Sequence, residues 1–289
     1  MARLKELKQK VVESQLWRSM FRHDYLDTPR NRVLQIMANV WLHLHPPKIR
    51  RHAIKIRFTW CMGGITFLMF LSTVITGVIL MFYYRPVAEY AFADMKYLEF
   101  DVPFGMIVRN MHRWAAHGMV ITVWLHMFRV FMTGSYKPPR EFNWVVGVIL
   151  LTITLLLSFT GYLLPWDQLS IWAVTVGTNM ARATPLLGTE GPFAQVVGVT
   201  PRYDARAFLL GGTLVGPPTL LRFYVLHCIF LPILASLLMI VHFWRIRKDG
   251  GISGPCRCTP GEPRTRCIAR GGLPEMRRVC GKALSDSNG

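Results

Sequence analysis

Apolar residues gather in four long runs, and most of the charge falls between and outside them. The runs cover about residues 58–84, 106–132, 144–164 and 221–244, each near the ~20 residues that carry a helix across a bilayer. The pattern predicts an all-α membrane protein built as a four-helix transmembrane bundle. Residues 1–57 form a basic, polar leader without the early apolar stretch of a cleavable signal peptide. Within it, LKELKQKVVESQLWRSMF keeps helical periodicity with Trp17 and Phe21 on its apolar side. That predicts an N-terminal amphipathic helix lying along the membrane interface. Residues 256–289 are hydrophilic and basic again and read as a disordered or partner-bound tail.

The second run does not read as inert span. Residues 109–129 hold three histidines and three arginines, and His112 and His126 stand 14 residues apart. At about 100° per residue, that interval returns to nearly the same helix face, roughly 21 Å further along the axis. The fourth run repeats the device with His227 and His242, 15 residues apart. Two helices that each turn two histidines inward at nearly matched depths suit two stacked haems held by bis-imidazole ligation. A lone intramembrane histidine is more often a packed or relay residue, but four in matched register argue for ligation. His117 falls off this face and reads as a packing or polar residue.

Glycines repeat the interval. Gly63 and Gly77 in the first run, and Gly147 and Gly161 in the third, are each 14 residues apart. Ordinary small-residue helix packing is the plain explanation, but the shared interval favours clearance for a flat macrocycle. Haem propionates need cationic partners in an apolar setting, and Arg109, Arg113 and Arg129 flank the histidines where they suit that task, or simple snorkelling.

Charge changes the picture in one respect. The chain carries a formal net charge of +18, with 52% hydrophobic and 17% charged residues. The basic residues sit at segment ends rather than along a reading face, so anionic lipid headgroups fit better than nucleic acid. They concentrate in the leader, in TGSYKPPREFN between the second and third runs, and in the RIRK that closes the fourth. The positive-inside rule then places both termini on the cytoplasmic (or stromal or matrix) n side. His112 and His227 fall near the outer face, His126 and His242 near the inner.

The six cysteines make no disulfide framework. Cys61 and Cys228 lie in or beside apolar runs, and Cys256, Cys258, Cys267 and Cys280 lie in the tail. Zinc or an iron–sulfur cluster is open for the tail set, though its spacing matches no strong signature. His43, His45 and His52 have no accompanying carboxylate or cysteine and are not read as a metal site.

The segments WCMGGITF, TGVILMFYYRP, MHRW, LHMFRVFMTGSYKPPREFNWVVGV, TGYLLPWDQ, RFYVLH and HFWRIRKDGGISGP carry a family likeness. Over about residues 58–255 the chain resembles the short, split form of cytochrome b, the four-helix cytochrome b6 type of quinol-oxidising Rieske/cytochrome b complexes. The resemblance implies a four-helix haem-binding bundle in a dimeric complex. It implies a low-potential outer haem on His112 and His227 and a high-potential inner haem on His126 and His242. The 15-residue interval looks like the split form, since the long mitochondrial type usually has 14. The Pro-Glu-Trp-Tyr motif of the quinol-oxidising site is missing, which implies a separate subunit with the remaining helices.

Other roles follow from the same likeness. Cys61 matches the cysteine that attaches an extra haem through one thioether in split-type relatives; without the family it reads as a buried small residue. Arg247 matches a basic residue near that haem and the inner quinone site. Pro165, Trp166 and Asp167 belong to the outer quinol site. Implied partners are a Rieske iron–sulfur protein, a c-type cytochrome or plastocyanin-type acceptor, and a quinone of the menaquinone, ubiquinone or plastoquinone class. Residues 41–60 contain no acid, where relatives often have one near the inner pocket. Two rivals lack a Rieske partner: a dihaem anchor for a dehydrogenase or hydrogenase, which needs no Cys61, and a haem-free transporter using histidine proton relays.

Overall fold

The computed structural model describes residues 9–11, 13, 14, 17, 56, 60–138 and 140–248. Among them every regular element is helical: α1 (Met62–Met81), α2 (Ala91–Phe100), α3 (Gly105–Met132), α4 (Glu141–Tyr162), α5 (Gln168–Ala181), α6 (Ala194–Val197), α7 (Ala205–Leu210) and α8 (Pro217–Val225), with α8 running through the π-helical turn Leu226–Phe230 into α9 (Leu231–Lys248). Four helices are long and apolar enough to cross a membrane: α1, α3, α4 and the continuous Pro217–Lys248. Only scattered positions of the expected interfacial helix are described, with Gln9–Val11, Glu13 and Trp17 helical. The tail cysteines and His43, His45 and His52 lie outside the described residues.

The spans differ from expectation at their ends for local reasons. The fourth starts at Pro217, where proline at the first helical positions loses no bond it would otherwise make. It runs on to Lys248 because Arg245, Arg247 and Lys248 complement the negative end of the helix. The third begins at Glu141, an acid in the first turn that suits the positive end.

The chain divides into two compact units. One takes in Gly64–Ile121 and Thr152–Ser236. Its connections are more ordered than their glycine and proline content suggests. Between the third and fourth spans, α5 is started by Asp167, whose Oδ1 accepts from the Ser170 backbone N–H at 2.8 Å and the Ser170 hydroxyl at 2.7 Å. α7 is capped likewise by Asp204 through the Ala207 N–H at 2.7 Å. Leu163, Val174, Leu210 and Phe223 then meet in one buried cluster with Phe159 packed against it, tying α4, α5, α7 and α8 together. A second cluster joins Tyr84, Ala91 and Leu220, with Trp166 packed against it. The Tyr84 hydroxyl donates to the Leu164 carbonyl at 2.6 Å.

The link between α1 and α3 is fixed by one carboxylate. Asp94 on α2 accepts from the Arg85 backbone N–H at 2.9 Å and from its Nε at 3.0 Å and Nη2 at 2.5 Å. The Asp94 side chain is 7% exposed. The other unit comprises the described residues up to Gly63, Thr122–Leu151 and those from Leu237 onward. There Tyr136 stacks on Phe131 with centroids 5.5 Å apart and tilts against Trp144 at 5.6 Å. Arg245 is wholly buried, its guanidinium over Phe142 at 5.3 Å and Trp244 at 5.7 Å.

The side-chain hydrogen bond from Arg85 is the main cause holding the Asp94 carboxyl below its ordinary range. A carboxylate depressed on folding stabilises fully above its unfolded value of about 3.9, and that contribution disappears as pH falls through the folded value. Asp94→Asn is therefore expected to lower the thermal midpoint by a few degrees at pH 7. Its deficit against the native chain should shrink as pH drops below about 4. Parallel melts of the two purified chains across that range check this.

Candidate functional site

The four histidines form two pairs, one in each unit. His112 on α3 and His227 in the π-turn have ring centroids 6.2 Å apart at an interplanar angle of 74°. His126 on α3 and His242 on α9 have centroids 6.4 Å apart at 79°. Two imidazoles on opposite faces of one metal, each bound at about 2.0–2.1 Å, have ring centres a little over 6 Å apart. Both separations fit a shared iron. Among the described residues no three or more His, Cys, Asp or Glu side chains converge on a point. Pairs are what a haem needs, because the porphyrin supplies the other four nitrogens.

Each of the four repeated glycines faces one histidine. A Cβ on Gly77 would stand 3.2 Å from His112 Cε1, and on Gly161 2.5 Å from His227 Cε1. In the other unit, a Cβ on Gly63 would lie 3.4 Å from His126 Cε1, and on Gly147 3.7 Å from His242 Cε1. The group that these glycines clear is the imidazole. Helices α1 and α4 carry the glycines; α3 and the Pro217–Lys248 helix carry the histidines. Small residues let the paired backbones approach closely enough for this.

The π-turn explains the unequal histidine intervals. Fifteen α-helical residues overshoot whole turns by about 60°, whereas fourteen fall about 40° short. At Leu226–Phe230 the Leu231 N–H bonds back to the Leu226 carbonyl, an i→i+5 step. That turn takes up one extra residue, leaving the longer interval with the helical phase of the shorter one.

Two hydroxyls complete the His112–His227 pair. Thr76 Oγ1 lies 3.0 Å from His112 Nδ1, and Thr160 Oγ1 lies 3.2 Å from His227 Nδ1. Each threonine immediately precedes a glycine that faces the same histidine. The repeated Thr-Gly dipeptide was the signal in the sequence, and spacing arguments passed over it. At the other pair the corresponding positions are Met62 and Val146.

The remaining candidates are placed less uniformly. Arg109 is committed to Glu99 at 3.1 Å, and Arg113 beside His112 is exposed. Arg129 is half-buried one turn beyond His126. Arg247 is exposed, whereas Arg245, three residues after His242, is the buried cation of that turn. Beside the His126–His242 pair, a shallow recess is lined by both histidines together with Met127, Arg140, Asn143 and Trp144. Cys61 is exposed rather than a buried small residue, with φ 52°, following Trp60 at φ 51°. Two successive left-handed non-glycine residues are a costly way to enter a helix and recur at functional sites. Trp166 also has positive φ, 53°, between Pro165 and the capping Asp167. His117 is exposed and edge-on to Trp114 at 5.8 Å, consistent with its reading as a packing residue.

An integral membrane helical protein with two facing histidine pairs has the architecture of a b-type cytochrome. The chain belongs to the cytochrome b family: the model described as Cytochrome b/b6/petB matches residues 50–250. It is 45% identical over 196 residues to cytochrome b6 of Gracilaria tenuistipitata var. liui and equally to that of Mesostigma viride. Each match covers 68% of this chain and 84% of the relative. A chain of a solved hyperthermophilic respiratory Complex III superposes with a TM-score of 0.59 at 28% identity, covering 78% of this chain and 55% of that one. This chain thus spans little more than half the length of that structural relative. The family implies b-type haem, which the imidazole separations fit.

The glycine contacts rank their own substitutions. Gly161→Ala drives a methyl into His227 and is expected to cost about 1–3 kcal/mol, with loss of bound haem. Gly147→Ala makes only ordinary contacts and should keep near-native haem content. Haem-to-protein ratios and melts of the two variants check the order.

Proposed function

We propose that this chain is the cytochrome b6-type subunit of a quinol-oxidising complex of the bc1/b6f class. His112 and His227 would hold an outer b-type haem, and His126 and His242 an inner one. The observation that carries the reading is the pair of centroid separations, 6.2 and 6.4 Å, each with a glycine facing every ring. Neither imidazole packing nor a proton relay requires that repeated arrangement. The bound haems supply one-electron transfer from the quinol-oxidising side to the quinone-reducing side, as in a Q cycle.

The residues divide the remaining work. The four glycines give the rings room to stand between helices, so ligation needs no backbone shift. Arg109, Arg113 and Arg129 are the propionate partners of this reading, with Arg109 also paired to Glu99. Pro165 and Trp166 shape the entrance to the outer quinol site, while Asp167 holds that turn by capping α5. Cys61 would anchor a further haem by one thioether, and its strained, exposed placement two residues before Gly63 supports that assignment. Arg247, with its charge at the end of the same unit, would serve the inner quinone site.

The orientation follows the charge at the leader, the TGSYKPPREFN connection and the RIRK terminus, which places both chain ends on the n side. The quinone would be a menaquinone, ubiquinone or plastoquinone. The complex would also need a Rieske protein, a subunit with the remaining cytochrome b helices, a c-type cytochrome or similar acceptor, and a dimeric assembly.

A haem stain on a denaturing gel, paired with reduced-minus-oxidised spectra, tests the assignment. The native chain is expected to stain and to show b-type bands. Cys61→Ala should lose the stain and keep the bands. His112→Leu should lose about half of the b-type absorbance and keep the stain. A stain that survives Cys61→Ala would refute the covalent assignment, and a native chain without b-type bands would remove the cytochrome reading.

A further inference from the structure

The two histidine pairs differ in what stands behind them. Behind His112, the Thr73 carbonyl and the Thr76 hydroxyl face Nδ1, the latter at 3.0 Å. Behind His227, the Leu157 carbonyl and the Thr160 hydroxyl do the same, the latter at 3.2 Å. At His242 the Asn143 carbonyl is again nearby, but Nδ1 is buried without a hydrogen-bond partner, and Val146 stands where a threonine would be. Before Gly63, opposite His126, the residue is Met62.

The threonine protons are already committed. Thr76 Oγ1 donates to the Ser72 carbonyl at 2.6 Å, and Thr160 Oγ1 donates to the Leu156 carbonyl at 2.8 Å. A hydroxyl that gives its proton to its own helix has only lone pairs to offer outward. Both threonines are buried, 4% and 3% exposed, at membrane depth where no water competes. His112 and His227 must then carry their protons on Nδ1 and present Nε2 as the bare donor.

We infer that Thr76 and Thr160 are positioning residues that fix this tautomer and lower the reduction potential of the haem between His112 and His227, a hydroxyl contribution for which the His126–His242 pair has Met62 and Val146 instead. The physics is that of a hydrogen-bonded ligating imidazole. An acceptor on Nδ1–H pushes electron density to Nε2, which strengthens the bond to ferric iron more than to ferrous iron. Two such hydroxyls stand behind one pair, whereas Met62 and Val146 hold the corresponding positions at the other, and this difference builds a potential difference into the chain. The inference rests on the haem reading proposed above.

Potentiometric titration of the intact complex, followed at the two b-type bands, tests it with Thr76→Val and Thr160→Val. Valine keeps the shape and removes the hydroxyl acceptor while leaving the backbone carbonyl in place. Each variant is expected to raise the potential of the outer haem, shifting its ferrous-to-ferric ratio at fixed potential by up to about tenfold, about 59 mV for one electron. The inner haem should not move, and Thr76→Ser and Thr160→Ser should stay native in potential. An unchanged outer potential with full haem content would overturn the inference and leave the haem reading standing. So would equal shifts at both haems, or serine variants that behave like valine. Should a valine variant lose its haem, the serine variant decides: native content and potential support the hydroxyl, whereas the same loss assigns it to packing alone. A native complex without b-type bands would sink both readings.

Discussion

An imidazole within a hydrocarbon layer has two nitrogens to satisfy and no water to satisfy them. Much else in this chain answers that constraint. One nitrogen of His112 or His227 turns toward a threonine on the neighbouring helix, and the other is left for a metal. For the ring to reach its neighbour, the neighbouring helix must lack a side chain at the point of approach, hence Gly77 and Gly161. The helix pairings, the small residues and the hydroxyls are thus one solution read at three levels.

Much of this was legible in the sequence because the bilayer allows few choices. Four apolar runs can only become four helices, and a 14-residue interval between polar residues on such a helix fixes their face. The glycine interval was legible for the same reason. Its target was not: the one-to-one facing of glycine and imidazole depends on which helices pair, which periodicity does not state. The Thr-Gly repeat went unread because threonine in a membrane helix usually bonds to its own backbone. Here Thr76 and Thr160 do so and also lie within hydrogen-bond distance of a histidine Nδ1.

The connections were the least legible part. The stretch after the third span reads as glycine- and proline-rich, yet Asp167 and Asp204 each start a helix within it. An aspartate before a helix is a local signal, but whether the following segment folds depends on remote packing partners such as Leu163 and Phe223. Charge was misleading in a similar way. Arg109, Arg113 and Arg129 look equivalent beside their histidines. Only the fold commits Arg109 to Glu99, and it singles out Arg245, rather than Arg247, as the buried cation of its turn.

The π-turn at Leu226–Phe230 also bears on how such a chain changes over time. A one-residue insertion in a transmembrane helix would ordinarily rotate everything beyond it by about 100° and scramble every inward face. A single i→i+5 turn confines that rotation to the site of the insertion. Helices with 14 and with 15 residues between their histidines can therefore occupy the same bundle. Lineages can gain or lose that residue without passing through a non-binding ancestor, so interval length alone is a poor ruler of relatedness.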